Sequence, residues 1–85
     1  MDFELRIISA VLENADISFD VSDITDIDND DPERIYFNLN GESGYFVRMW
    51  ELRSIGKHHY IDYTLYKDND RNGADRISEG VFQRD

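Results

Sequence analysis

The stretch YFVRMWELRSIGKHHYIDYTLYK, residues 45–67, decides the fold. Two runs of aromatic and branched residues, YFVRMWEL (45–52) and HHYIDYTLYK (58–67), flank a glycine-containing turn, which is the pattern of a β-hairpin. IYFNLN (35–40) has the same character and ends at another glycine-bearing turn, so three sequential antiparallel strands are expected. The register follows from asking which pairing collects apolar side chains on one face. A three-residue loop, Ser54-Ile55-Gly56, sets Tyr45 against Leu65, Val47 against Tyr63 and Met49 against Ile61. A five-residue loop, Asn40 to Gly44, then sets Leu39 against Tyr45, Phe37 against Val47 and Ile35 against Met49. On the other face Arg48 is expected opposite Asp62, among Phe46, Trp50, Tyr60 and Thr64. ISEGVF (77–82) is expected to add a short edge strand.

Upstream of the strands the hydrophobic period changes. Leu5, Ile8, Val11, Leu12 and Ala15 recur at spacings of three and four, which predicts an amphipathic helix over 3–15 capped by Asp2. Ile17, Phe19 and Val21 alternate with Ser18, Asp20 and Ser22, which predicts a strand. DITDIDNDDPER (23–34) reads as a polar surface connection tethered by Ile24 and Ile27. The expected fold class is α+β, with one N-terminal helix packed on an antiparallel sheet of four to five strands. A chain of 85 residues with a single proline and no repeat is expected to form a single domain over residues 1–85.

Composition narrows the function classes. The small size leaves little room for an enclosed substrate pocket. The absence of cysteine excludes disulfides, thiolate metal sites and Cys nucleophiles, and fits a cytoplasmic setting. Asp2 and Glu4 stand where a signal peptide needs basic residues, and no apolar run approaches the roughly 18 residues of a membrane span.

The net charge of −10 is one-sided. Residues 1–42 hold twelve Asp and Glu against Arg6 and Arg34, whereas residues 43–85 hold seven of each sign. Asp16, Asp20, Asp23, Asp26, Asp28, Asp30, Asp31 and Glu33 fall within 16–33 with no basic residue among them. In an extended chain Asp26, Asp28 and Asp30 would lie about 6 to 7 Å apart on one side. Duplex DNA carries a charge every ~1.7 Å of axis, so this segment alone imitates it sparsely and needs further acids from the fold.

DNDRNGADRISE (68–79) resembles the EF-hand calcium loop: Asp68, Asp70, Asn72, Gly73 and Glu79 occupy its ligand and turn positions. That resemblance covers twelve residues and implies helices on both sides. The preceding residues alternate as a strand, Asp75 replaces the usual apolar residue, Arg76 puts a cation beside the ion, and Gly80 opposes a following helix. A polar hairpin loop is therefore expected, with no metal site, and a calcium-binding module through 68–79 is the lesser alternative. DIDNDD (26–31) matches less well, since Asp31 stands where glycine belongs.

No catalytic set is legible. His58 and His59 are adjacent and would face opposite sides of a strand; Ser43 and Ser54 have no His and carboxylate at a diagnostic spacing. Net negative charge opposes direct nucleic-acid binding, although Phe46, Trp50 and Tyr60 could form a stacking platform. Three outcomes are then open for the acidic stretch: solvated surface, salt adaptation, or an interface for a cationic partner. Salt adaptation should coat both halves of the chain. The expectation is a non-enzymatic binding protein without cofactor that uses Asp16 through Glu33 to occupy a basic, nucleic-acid-binding partner such as a nuclease, with no direct contact to nucleic acid or membrane. Trp50 and Tyr60 are secondary anchors, which an immunity or antitoxin type of interaction would use more heavily. Small size and a one-sided acidic face are similar in kind to phage-encoded inhibitors of restriction or CRISPR nucleases and to immunity proteins.

Overall fold

The computed structural model describes residues 3–69 and 73–83. The fold is α+β: helix α1 (Phe3–Asn14) followed by five antiparallel strands in a meander, β1 (Ile24–Asp28), β2 (Arg34–Leu39), β3 (Glu42–Ile55), β4 (His58–Asn69) and β5 (Gly73–Gln83). Strand order in the sheet follows chain order, so β1 and β5 are the edges. The sheet curls, and α1 approaches both β5 and β1. No helix among the described residues is long and apolar enough to cross a membrane.

Ile7, Ile8, Val11 and Leu12 form the buried stripe of α1. They pack on Ile24, Ile35, Phe37, Leu39, Val47, Tyr63 and Leu65 from the inner face of the sheet, each at most 7% exposed. Burying a side chain of this size contributes about 1.5 to 3 kcal/mol, and the helix is held by this stripe. Leu5 and Ala15 flank the cluster, and Ile7 joins it. The helix ends at Asp16, whose φ of 57° is left-handed. Asp16 N–H donates to the Glu13 carbonyl at 3.1 Å and Ile17 N–H to the Leu12 carbonyl at 3.0 Å, the paired bonds of a Schellman cap built on aspartate instead of glycine.

The strand expected from Ile17, Phe19 and Val21 does not form. Ile17 and Phe19 pack against the core, Val21 is exposed, and Val21–Asp23 make a 3-10 turn. Alternation here reflects an extended connector with one side on the core, a pattern that does not require a ladder partner. The ladder beside β2 is taken instead by Ile24–Asp28, within the segment expected to be a surface connection. Among its side chains only Ile24 is buried, so backbone pairing along the open edge of β2 overrides a poor strand composition.

Both hairpins turn more tightly than the loop lengths predict. Asn40 and Gly41, with φ of 54° and 79°, form a two-residue type I′ turn. Val47 consequently faces Ile35, and Tyr45 faces Phe37. Ser43 and Gly44 bulge opposite Asn38, with Gly44 at φ 96°. At the second hairpin Gly56 (φ 64°) and Lys57 make the two-residue turn, so Ile55 and His58 are still paired. Val47 therefore faces Leu65 and Met49 faces Tyr63. Away from the turns the partners in each ladder are displaced by two residues from expectation, which leaves Tyr45, Val47 and Met49 on their expected face; between the Trp50 bulge and the second turn the displacement is three, as in Leu52↔Ile61 and Arg53↔Tyr60. Arg48 lies opposite Thr64, and Asp62 pairs with the Arg53 side chain at 2.6 Å.

β5 is longer than the six residues expected. Its ladder with β4 begins at Asn69↔Gly73 and Asp68↔Ala74, and it places Glu79 opposite Thr64. Asp68 and Glu79, the ends of the EF-hand match, are thus separated by four strand steps, about 13 Å. Paired strands replace the coiled loop that would gather its ligands; Asp70 and Asn72 lie outside the described residues.

Candidate functional site

The acidic residues run along the β1 edge and the turns at its two ends. At one end the 3-10 turn is closed by Asp23 N–H donating to the Asp20 carbonyl at 2.9 Å and Asp20 N–H donating to Asp23 Oδ2 at 3.0 Å. The Asn40 N–H donates to the Asp23 carbonyl at 3.0 Å, tying this turn to the tip of the β2–β3 hairpin, and turning the Asn40 side-chain amide over would bring its nitrogen within 3.1 and 3.2 Å of the Asp23 carboxylate oxygens. Midway, Asp26 occupies a bulge with φ of 52°, and its Oδ2 accepts from the Asn38 amide at 2.8 Å.

At the other end, Asp28 Oδ1 accepts from the Asp30 N–H at 3.0 Å and Asp31 Oδ1 from the Glu33 N–H at 2.9 Å. These are Asx turns, in which a carboxylate replaces a backbone carbonyl and lets a polar chain reverse. Arg34 sits 3.6 Å from Asp31, both partly exposed. The even spacing expected of an extended chain is interrupted by the Asp26 bulge and by the turn at 28–33. Asp16, Asp20, Asp26, Asp28, Asp30 and Glu33 are exposed, and Asp23 and Asp31 are half-buried. Asp16 also stands apart in role, since it terminates α1.

One member of this surface was not anticipated. The Asn29 amide donates to Glu4 Oε1 at 2.5 Å, bringing the first turn of α1 against the β1–β2 turn. Glu4 thereby adds a carboxylate beside Asp28, Asp30 and Asp31, and a recess of about 170 Å³ opens between Phe3, Asn29, Pro32 and Met49. Twenty-five residues separate the two partners, and no local pattern announces such a contact.

The outer face of the sheet carries a second set of aromatic residues, apart from Phe37 and Tyr63 in the core. Tyr36, Phe46 and Tyr66 form a row across β2, β3 and β4, with ring centroids 5.2 and 4.9 Å apart. Arg34 lies over Phe46, and the Arg48 guanidinium sits 3.7 Å from the Trp50 ring centroid. The rings are thus engaged with one another and with arginine side chains, which opposes their use as flat platforms for nucleic-acid bases.

Trp50 is the extra residue of a bulge between Met49 and Glu51. Its indole N–H donates to Thr64 Oγ1 at 2.6 Å, while half of the residue remains exposed. It lines a groove of about 470 Å³ with Thr64, Tyr66 and Val81, and the Arg53–Asp62 and Arg76–Glu79 pairs stand at the rim. Tyr60 lies outside this groove, opposite Arg53, nearer the β3–β4 turn.

The histidines project at the end of the β3–β4 hairpin. Ser54 Oγ lies 2.9 Å from His59 Nδ1, and His58 Nδ1 lies 3.0 Å from the Gln83 amide; both contacts are exposed. Among the described residues no three His, Asp or Glu side chains converge in a way that could hold a metal ion. No known protein-family model, characterised protein or solved structure matches this chain.

Proposed function

We propose that this is a non-enzymatic binding protein whose β1 edge occupies the basic, nucleic-acid-binding site of a partner protein, as an inhibitory mimic of nucleic acid would. The observation that carries the proposal is the way the carboxylates of Asp23, Asp26, Asp28 and Asp31 each accept a hydrogen bond, from the Asp20 N–H, the Asn38 amide, the Asp30 N–H and the Glu33 N–H, while the surface they form stays open. A carboxylate fixed before binding loses less side-chain entropy when it meets a cation. With Arg34 the only cation within the segment 16–34, the local potential is strongly negative and steers a basic partner at long range.

A second reading rests on Trp50. Its exposed indole at the groove favours an immunity or antitoxin type of contact, in which one aromatic anchor carries much of the affinity. The two separate experimentally. A tagged wild-type chain and its Asp26/Asp28/Asp30/Asp31→Asn variant are used to capture partners from the native host's lysate at low and high salt. Mimicry predicts recovery of a nucleic-acid-binding protein by wild type at low salt and its loss in the variant. A partner retained equally by both, and lost only on Trp50→Ala, would transfer the function to the groove.

A further inference from the structure

The two edges of the sheet differ in a way that bears on self-association. An open edge presents unpaired backbone donors and acceptors, and natural sheets guard it with charge, bulges or short strands. The β1 edge has all three guards: five residues, a bulge at Asp26, and Asp23, Asp26 and Asp28 at or beside the strand. β5 is eleven residues long and contains neither proline nor lysine, and of these guards it has a single bulge, at Ile77, and charges that nearly cancel. Among the described residues it pairs only with β4, and its Ile77 and Val81 are exposed. With Asp75, Arg76 and Glu79 its net charge is −1, against −8 for residues 16–33.

We infer that β5 is a self-pairing edge, through which two copies of this chain form a closed two-fold dimer with a continuous antiparallel sheet. The sequence of β5 is complementary to itself in that arrangement. A two-fold axis between Ile77 and Ser78 sets Arg76 of each copy opposite Glu79 of the other and Ala74 opposite Val81. Arg76 and Glu79 already lie on one face, 3.6 Å apart within the strand, because Ile77 is a bulge residue there. The same bulge occurs in both copies and falls at the axis, so the two edges keep equal residue counts on either side of it.

Electrostatics permits the association despite the charge of −10 on each chain. The order β1-β2-β3-β4-β5 joined to its copy places the two β1 strands at the opposite ends of a ten-stranded sheet, the arrangement along the sheet that keeps the acidic edges farthest apart. Salt screens what repulsion remains, with a Debye length of ~8 Å at physiological ionic strength. Because β1 is guarded, growth stops at two copies. An interface of one strand pair is small, so weak association, in the micromolar to millimolar range, is expected.

Sedimentation velocity and light scattering of the full chain, from micromolar to millimolar concentration at physiological salt, test this. The expected result is a monomer that becomes a dimer and no larger. Ile77→Lys, which puts two like charges beside the axis, is expected to weaken association at least about tenfold. Arg76→Glu should weaken it similarly and Arg76→Glu/Glu79→Arg should restore it, with far-UV circular dichroism confirming that each variant folds. A wild-type chain that stays monomeric throughout, or a dimer indifferent to Ile77→Lys and to the charge exchange, would overturn the inference.

Discussion

Gly80 faces Tyr63 across the β4–β5 ladder, and a Cβ added at Gly80 would lie 2.8 Å from the Tyr63 hydroxyl. The glycine is required by space, since its φ is not in the left-handed region. Tyr63 is 2% exposed, and its hydroxyl accepts from the Asn14 amide at 3.0 Å, so ring and hydroxyl are fixed between β5 and the end of α1.

Gly80→Ala is therefore expected to destabilise the protein by about 1 to 3 kcal/mol, the usual cost of overpacking a closed site. Tyr63→Phe removes the nearest clashing atom and leaves the ring, whose two closest carbons stay tight at 3.1 and 3.2 Å. In a double-mutant cycle followed by urea unfolding, the pair should cost less than the sum of the single variants by more than about 0.5 kcal/mol. Additive costs would show that the strain is absorbed elsewhere.

Asp16 adopts φ 57° at the end of α1, where an L-residue is strained and glycine is not. Asp16→Gly is expected to raise stability by about 0.5 to 1 kcal/mol, as relief of this strain exceeds the added entropy of the unfolded chain. The measurement is the urea midpoint at unchanged slope. A lowered midpoint would mean that the carboxylate itself supports the cap.

These elements show what the sequence makes legible. Alternation along Val47, Met49, Ile61, Tyr63 and Leu65 specifies which side of each strand faces α1, and the structure keeps all those sides. It does not specify register, because a displacement by two residues preserves every face. The dipeptide Asn40-Gly41 is the local signal that would have placed the first hairpin, being suited to two successive left-handed residues. The end of α1 lies within one residue of the expected one, read from the loss of the helical period, although aspartate stands where glycine usually marks a cap. β1 was hidden because its residues pair through their backbone and bury little. Of the candidate site, the acidic residues are visible as composition, whereas Glu4 and the Trp50 groove depend on contacts between distant segments.

Trp50 is the only tryptophan, so its fluorescence reports on the outer face directly. Trp50→Phe keeps an apolar ring and removes the donor to Thr64 Oγ1, a nearly buried hydroxyl. The expected cost is about 0.5 to 1.5 kcal/mol, and Thr64→Val should recover part of it by removing the stranded hydroxyl. Thermal melts of the three variants decide this; a Trp50→Phe chain as stable as wild type would show that the hydrogen bond contributes nothing net.

The acidic edge makes opposite demands on stability and on binding, and the choice of substitution separates them. Asn at Asp28 and Asp31 retains the Oδ1 acceptor of each Asx turn, while Ala deletes it. Asp26/Asp28/Asp30/Asp31→Asn moves the net charge from −10 to −6 and removes like-charge repulsion within one turn of chain. Its stability in low salt is expected to equal or exceed that of wild type, and the difference should shrink as salt screens the repulsion. Asp28→Ala/Asp31→Ala relieves repulsion too, but it deletes the acceptors that close the two turns, leaving the exposed Asp30 and Glu33 amides to water, and should cost about 0.5 to 1 kcal/mol relative to the corresponding Asn pair. Urea unfolding of the three chains at low and high salt checks both statements. If the Asn variant were the less stable, the carboxylate charges themselves would be holding the turns, and any loss of partner binding in that variant would have to be attributed to the fold before it was attributed to the surface.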